Sequence, residues 1–424
     1  MQAAQAPSAT FPASVHARAR QIGAHYLTGQ RGTVFWAFVM LMVTNVALAK
    51  AGFSTGSTPV TFGYLLMGAL APFALIGLIV RPVLSPAALL HVLLAYLPVG
   101  LFAVYKVETA FGSPAELLVT GTNFLILPVI IIGLFSPYLE DLTEAQICTV
   151  LKWCVRFAVA WGLMNFFMYA LTKSFIAIPY LTMNAADAAE VFGKNNRRGG
   201  FMKLVSTYNN GNIFGVCMIA LGPVYLYAEK SRAWMAAFLL AILLTLSRSA
   251  WFGMVVMGGV MVALGQVRVN RGPVWLGGLA AVGGIVIIMP FLGWTSDNLF
   301  DSNLGGRFYQ VEQLVITWFG APRVSIKEII YLGLLQSFGL IGFLFVMLAL
   351  TFPILVNASR LRTLPMLRRA AIGGTICYLA MAALDGAFIF PPVLAIFLFL
   401  GALTYRRGYR GAAGRAALPA TAAI

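Results

Sequence analysis

Long apolar runs separated by short polar segments fill the chain from residue 33 to residue 405. A helix that crosses a membrane needs about 20 apolar residues, because each adds about 1.5 Å against about 30 Å of hydrocarbon. Twelve runs meet or approach that length: 33–49, 60–80, 86–105, 116–135, 147–171, 211–228, 233–247, 250–266, 274–292, 328–352, 371–389 and 391–405. The seventh and the last are short. Pro391-Pro392 is the one break between residues 371 and 405 and is expected to form a tight turn, with a single kinked span as the other reading. The pattern predicts an all-α polytopic membrane protein with a polar N-terminal segment (1–32), one membrane domain (33–405) and a basic tail (406–424) that is expected to be disordered. Ala47-Leu48-Ala49 has the small residues of a signal-peptidase site, but about 32 preceding residues make an overlong leader, so an uncleaved first span is expected.

Composition agrees. Sixty per cent of the 424 residues are hydrophobic and only 10% charged, against about 45–50% and about 25% in soluble domains. An ordinary soluble enzyme and a disordered chain are both excluded. Cys148, Cys154, Cys217 and Cys377 lie singly in apolar runs, so neither a disulfide nor a metal site is expected. The three histidines, His16, His25 and His91, leave little room for His-based chemistry.

The net charge of +16, from 29 basic and 13 acidic residues, would suggest nucleic acid in a soluble protein. In a membrane protein it first reports orientation, because cytoplasmic loops collect Lys and Arg. With both termini in the cytoplasm, 18 of the 29 basic residues fall on the inner side and 11 outside. No nucleic-acid partner is then needed.

The two long connections, 172–210 and 293–327, both fall outside, and long loops in compact proteins are usually functional. Arg197, Arg198, Arg248, Arg307 and Arg323 therefore persist on the disfavoured side. A guanidinium is always charged, and its planar fork suits phosphate oxygens. These arginines read either as a pocket for an anionic, diphosphate-like headgroup or as solvated and lipid-anchoring charge. Arg248 stands in a minimal turn, Ser247-Arg248-Ser249, where an ionisable group near membrane depth favours function. Apolar residues at 308, 311, 314, 315, 318 and 319 recur at helical spacing, predicting an amphipathic surface helix with Arg307 at its start.

Four segments carry a family resemblance. Leu244-Thr245-Leu246-Ser247-Arg248-Ser249-Ala250-Trp251 resembles the T-x-S-R-G/S-A segment of the O-antigen ligase/polymerase superfamily. Arg198-Gly199-Gly200-Phe201, followed by Asn209-Asn210-Gly211-Asn212-Ile213-Phe214-Gly215, is similar to its R-x-G-F…N-x-F-G approach to the preceding span. Gly305-Gly306-Arg307 resembles its G-R loop opening, and Tyr331-Leu332 with Phe338-Gly339-Leu340-Ile341-Gly342 its Y-L…G-L-I-G span start. The resemblance covers about residues 190–350. It departs in two ways. Ligases carry a His where this chain has Glu328, which favours a Wzy-type polymerase. The Arg-x10-Gly signatures of some polymerases appear only as Arg-x12-Gly, at Arg198–Gly211 and Arg307–Gly320.

The resemblance implies a GT-C-like architecture in the bacterial inner membrane. It implies transfer of a growing glycan from undecaprenyl diphosphate to a lipid-linked repeat unit at the periplasmic face, for exopolysaccharide, capsule or O-antigen. Arg248 and Arg307 would stabilise the departing diphosphate, and Glu328 would serve as base. Arg197, Arg198, Arg323 and Asp385 would bind diphosphate or glycan, Asp385 having structural pairing as its other reading. The partners implied are the lipid-linked oligosaccharide, membrane lipids, a chain-length regulator and a flippase. No metal or other cofactor is expected, and no Asp-x-Asp motif occurs. Two alternatives remain. One is an O-antigen ligase. The other is a secondary transporter, although Val80-Arg81-Pro82-Val83-Leu84-Ser85-Pro86 does not match the major-facilitator inner-loop motif.

Overall fold

The computed structural model describes residues 32–55, 58–80, 85–110, 112–183, 191–193, 196–198, 201–267, 307–321, 329–385 and 391–408. The chain is mostly helical. Helix α1 spans Gly32–Ala47, and a hairpin of β1 (Gly52–Thr55) and β2 (Thr58–Thr61) follows it. Next come α2 (Phe62–Val80), α3 (Pro86–Thr109), α4 (Pro114–Asp141) and α5 (Glu144–Thr172). A second small hairpin, β3 (Arg197–Arg198) with β4 (Phe201–Met202), precedes α6 (Gly211–Ala228), α7 (Arg232–Leu243) and α8 (Arg248–Ala263). The last elements are the short α9 (Arg307–Glu312), then α10 (Ile330–Asn357), α11 (Met366–Ala382) and α12 (Pro391–Thr404).

Six of the described helices (α2, α3, α4, α5, α6 and α10) are long and apolar enough to cross a membrane. Their outer faces carry large apolar side chains such as Phe73, Ile79, Leu171 and Leu344, each at least 70% exposed. Water would penalise such a surface, whereas hydrocarbon accepts it. This is an α-helical membrane protein. At its centre stands α6, with 78% of its apolar window buried, packed against α11, α8, α5 and α12.

Polar side chains tie together the helix ends at one face. Arg156 of α5 donates two hydrogen bonds to Glu229, which follows α6, at 2.7 and 2.8 Å. Two N–H groups, from Lys230 and Ser231, also donate to that carboxylate. The Arg156 contact, first, and these N–H groups hold the Glu229 carboxyl down at about 2. Near the same face, Arg406 donates to the Leu139 and Leu142 carbonyls, and Arg368 to the Thr404 carbonyl and Asn357. The opposite ends of α1, α6, α8 and α11 gather at the other face.

Three expectations are corrected. The eleventh run leaves helical geometry at Ala382 rather than at 389, and Pro391 opens α12 instead of forming the turn. A first helical position needs no N–H, which is why proline fits there. Secondly, α7 ends at Leu243, so its 12 residues rise only about 18 Å. The turn after it is recessed inside the bundle, with Thr245, Leu246, Ser247 and Ser249 all buried. Thirdly, the amphipathic stretch 308–319 is helical only to Glu312. Residues 314–321 instead run beside a break in α10 at Gly339 (φ 68°, ψ −174°). There Leu340 and Ile341 donate to the Thr317 and Trp318 carbonyls, and Ala321 donates to Gln336. Lys106 of α3 donates to the Phe319 and Ser337 carbonyls, stitching the two segments to the body. Gly320 and Gly339, both at positive φ, allow the two backbones to touch. The run 274–292 lies outside the described residues.

Candidate functional site

Two non-α segments meet inside the bundle. The first is residues 203–210, in which every side chain from Lys203 to Asn209 is buried. Backbone without a full helical ladder survives at membrane depth only when protein or a water-filled cavity satisfies it. Here Ser206 donates to the Ala158 carbonyl in mid-α5 (2.6 Å), Thr207 to Ala47 (2.8 Å) and Tyr208 to Val46 (2.9 Å). The Thr207 carbonyl accepts the Lys50 N–H. The second segment is the α7–α8 turn, joined to the first by the Leu204 N–H donating to Leu244 at 2.9 Å. Ser206, Asn209 and Leu246, three of the five non-glycine residues with positive φ among the described residues, fall on these two segments. Such conformations cost about 1–3 kcal/mol each and gather where function holds them.

The asparagines of the first segment build the start of α6. Asn210 caps it, its Oδ1 accepting from the Asn212 and Ile213 N–H groups. Asn196 donates to the Asn209 carbonyl at 2.9 Å and accepts the Gly211 N–H. Lys203, 2% exposed, donates to Asn212 Oδ1 at 2.9 Å. Its stem lies over Gly211, where any Cβ would meet it at 2.9 Å. Lys50, 3% exposed, follows α1 and lies close enough to Cys217 of α6 to act on it electrostatically.

Arg248 opens α8 and is half-buried; its neighbours Ser247 and Ser249 share a hydroxyl–hydroxyl bond of 2.8 Å. Gly253 of α8 packs on Met381 of α11 and Ile219 of α6, and Gly215 of α6 packs on Ala250. Counting up both helices from Gly253 and Met381, at about 1.5 Å per residue, brings Arg248 and Asp385 to one level. Asp385 is buried (7% exposed) just beyond α11. Counting from Gly215 and Ala250 brings Asn212, with its Lys203 partner, to that level too. The Lys203–Asn212 pair, Arg248 and Asp385 therefore start from one backbone level of the bundle, and all three charged residues make further interactions. Fixed cations of this kind can hold an anion and stabilise charge that builds on it.

The other expected site residues are distributed differently. Arg197 is exposed on β3, opposite Met202, and Arg198 pairs with Phe201 in the same hairpin, leading directly into Lys203. Arg307 begins α9. Arg323 and Glu328 lie outside the described residues. Sequence reasoning singled out none of Lys50, Lys106 and Lys203. Lys50 and Lys106 did carry a signal, each being a lone lysine at the end of a long apolar run. Comparison with family models, curated proteins and solved structures finds no match to this chain.

Proposed function

We propose that this chain is a membrane glycosyltransferase, a polysaccharide polymerase that uses a polyprenyl-diphosphate-linked donor. Its membrane domain would be GT-C-like, with twelve spans and both termini in the cytoplasm of a bacterium. The observation that carries the reading is Arg248 at the recessed start of α8, on a segment that resembles the O-antigen ligase/polymerase superfamily, at one backbone level with the Lys203–Asn212 pair and Asp385. Cations held near membrane depth suit a donor diphosphate, because they can stabilise the charge that builds on it.

In the reaction, the bond from the donor's anomeric carbon to the diphosphate oxygen breaks. A glycosidic bond forms to a hydroxyl of the lipid-linked repeat unit. Charge builds on the departing diphosphate, and Arg248 with Lys203 stabilises it, joined by Arg307 and Arg198 from the outer loops. The acceptor's proton passes to a carboxylate, for which Glu328 is the proposed base. Arg197, Arg323 and Asp385 are assigned to diphosphate or glycan binding. Arg248→Ala should leave lipid-linked single repeats in place of polymer; polymer of unchanged length at equal protein level would refute the assignment.

A ligase differs only in its acceptor, and Glu328 in place of the ligase His favours polymerisation. The secondary transporter is kept as the second reading because α10 is discontinuous at Gly339, and broken helices are a transporter device. Counterflow of a labelled solute in liposomes would favour it.

A further inference from the structure

The face opposite the candidate site holds a basic cavity of about 630 Å³. It lies between the start of α3, the end of α10, the start of α11 and the end of α12. Arg360, Arg368 and Arg407 line it with Asn357, Ser85 and Tyr405, and no Asp or Glu is among its described lining residues. The volume falls within the about 300–1,000 Å³ typical of small-molecule sites.

The cavity is built rather than incidental. Arg368 is held by two hydrogen bonds of 2.8 Å, to the Thr404 carbonyl and to Asn357 Oδ1. A guanidinium has five N–H donors, so others remain for a ligand. Asn357 and Tyr405 are buried, and the Tyr405 hydroxyl is anchored to His91 Nδ1 at 2.8 Å. Arg407 lies near enough to Arg368 to repel it. Glu140, whose carboxylate accepts the Arg407 N–H at 3.2 Å, supplies one negative charge against the three arginines. The rim is apolar: Val356 lines the cavity, and Leu355 and Leu90 beside it are exposed on the lipid-facing side of the bundle.

We propose that this cavity binds the phosphate headgroup of an anionic phospholipid from the leaflet at that face, with its acyl chains lying against Val356, Leu355 and Leu90. Basic pockets between membrane helices at the cytoplasmic side have this chemistry. The Arg fork takes the phosphodiester oxygens, and the apolar rim selects a lipid over a soluble phosphate. The site is separate from the proposed glycosyl transfer and stands whether or not that reading holds.

The test uses the full chain purified in detergent, with retained lipid counted by native mass spectrometry after exchange into phosphatidylglycerol or phosphatidylcholine. The expected result is one saturable phosphatidylglycerol per chain and none of phosphatidylcholine. Arg360→Gln and Arg407→Gln change exposed side chains and should each weaken phosphatidylglycerol about tenfold. Arg362→Gln, at the same face but outside the lining, should not. Equal retention of the two lipids overturns the proposal, as does equal weakening by Arg362→Gln, which would mean diffuse charge. Displacement of the lipid by equimolar glycerol phosphate would overturn the assignment to a lipid headgroup.

Discussion

Gly339→Ala perturbs the one place where a broken helix holds the segment leading from α9. Alanine at φ 68°, ψ −174° enters a region essentially reserved for glycine, at about 1–3 kcal/mol. Its methyl would stand 2.5 Å from the Trp318 carbonyl oxygen and 2.6 Å from the Phe319 carbonyl carbon, so residues 317–321 must move away. Three hydrogen bonds between the two segments then go, from Leu340, Ile341 and Ala321, each worth about 0.5–1.5 kcal/mol net. The sum is about 2.5–7.5 kcal/mol against docking of residues 314–321. At about 1.4 kcal/mol per factor of ten, amide exchange there should accelerate about fiftyfold or more. Hydrogen exchange with mass spectrometry in nanodiscs reads this directly. Gly258→Ala on α8, where a Cβ meets nothing, is the control and should leave exchange unchanged. Wild-type protection of 314–321 in Gly339→Ala would refute the reasoning.

Lys106→Met removes the donor to the Phe319 and Ser337 carbonyls and should loosen the same segment, because the buried Ser337 carbonyl left unsatisfied costs about 1–3 kcal/mol; limited proteolysis between residues 313 and 329 measures it. Glu229 titrates near 2 rather than 4.5, so its pairing with Arg156 stabilises the fold above about pH 4.5, and that contribution is lost as pH falls toward 2. In Glu229→Gln, thermal stability should drop at neutral pH and its acid dependence over that window should flatten. Asn210→Ala deletes the α6 cap and should cost about 1 kcal/mol, read as a lower melting temperature. Glu328→Gln should abolish transfer while leaving lipid-linked repeat binding intact; retained polymerisation would leave Glu328 a structural residue.

Apolar runs made most helices legible, and the run 211–228 coincides with α6 at both ends. What the runs concealed is where the backbone departs from the helix while remaining apolar. Leu244-Thr245-Leu246 continues the hydropathy of α7, yet Leu246 has a φ of 51°, because its environment is the buried Leu204 segment rather than lipid. Residues 314, 315, 318 and 319 have helical spacing, but the open backbone groups beside Gly339 offer the chain a competing set of hydrogen bonds. Local periodicity contains no information about that distant partner. At the candidate site, Arg248 was legible because it stands in a short turn between two apolar runs. Lys50 and Lys203 were not singled out, because their burial is set by α6 packing and not by neighbours in sequence.

The most direct test of the proposed polymerase is electrophoresis of lipid-linked glycans from a strain lacking this chain, complemented with wild-type protein or Arg248→Ala at matched levels. The account predicts single repeat units in the deletion and in Arg248→Ala, and a polymer ladder with the wild type. A full ladder with Arg248→Ala would contradict the site, and a full-length lipid-linked polymer in the deletion strain would contradict the polymerase itself.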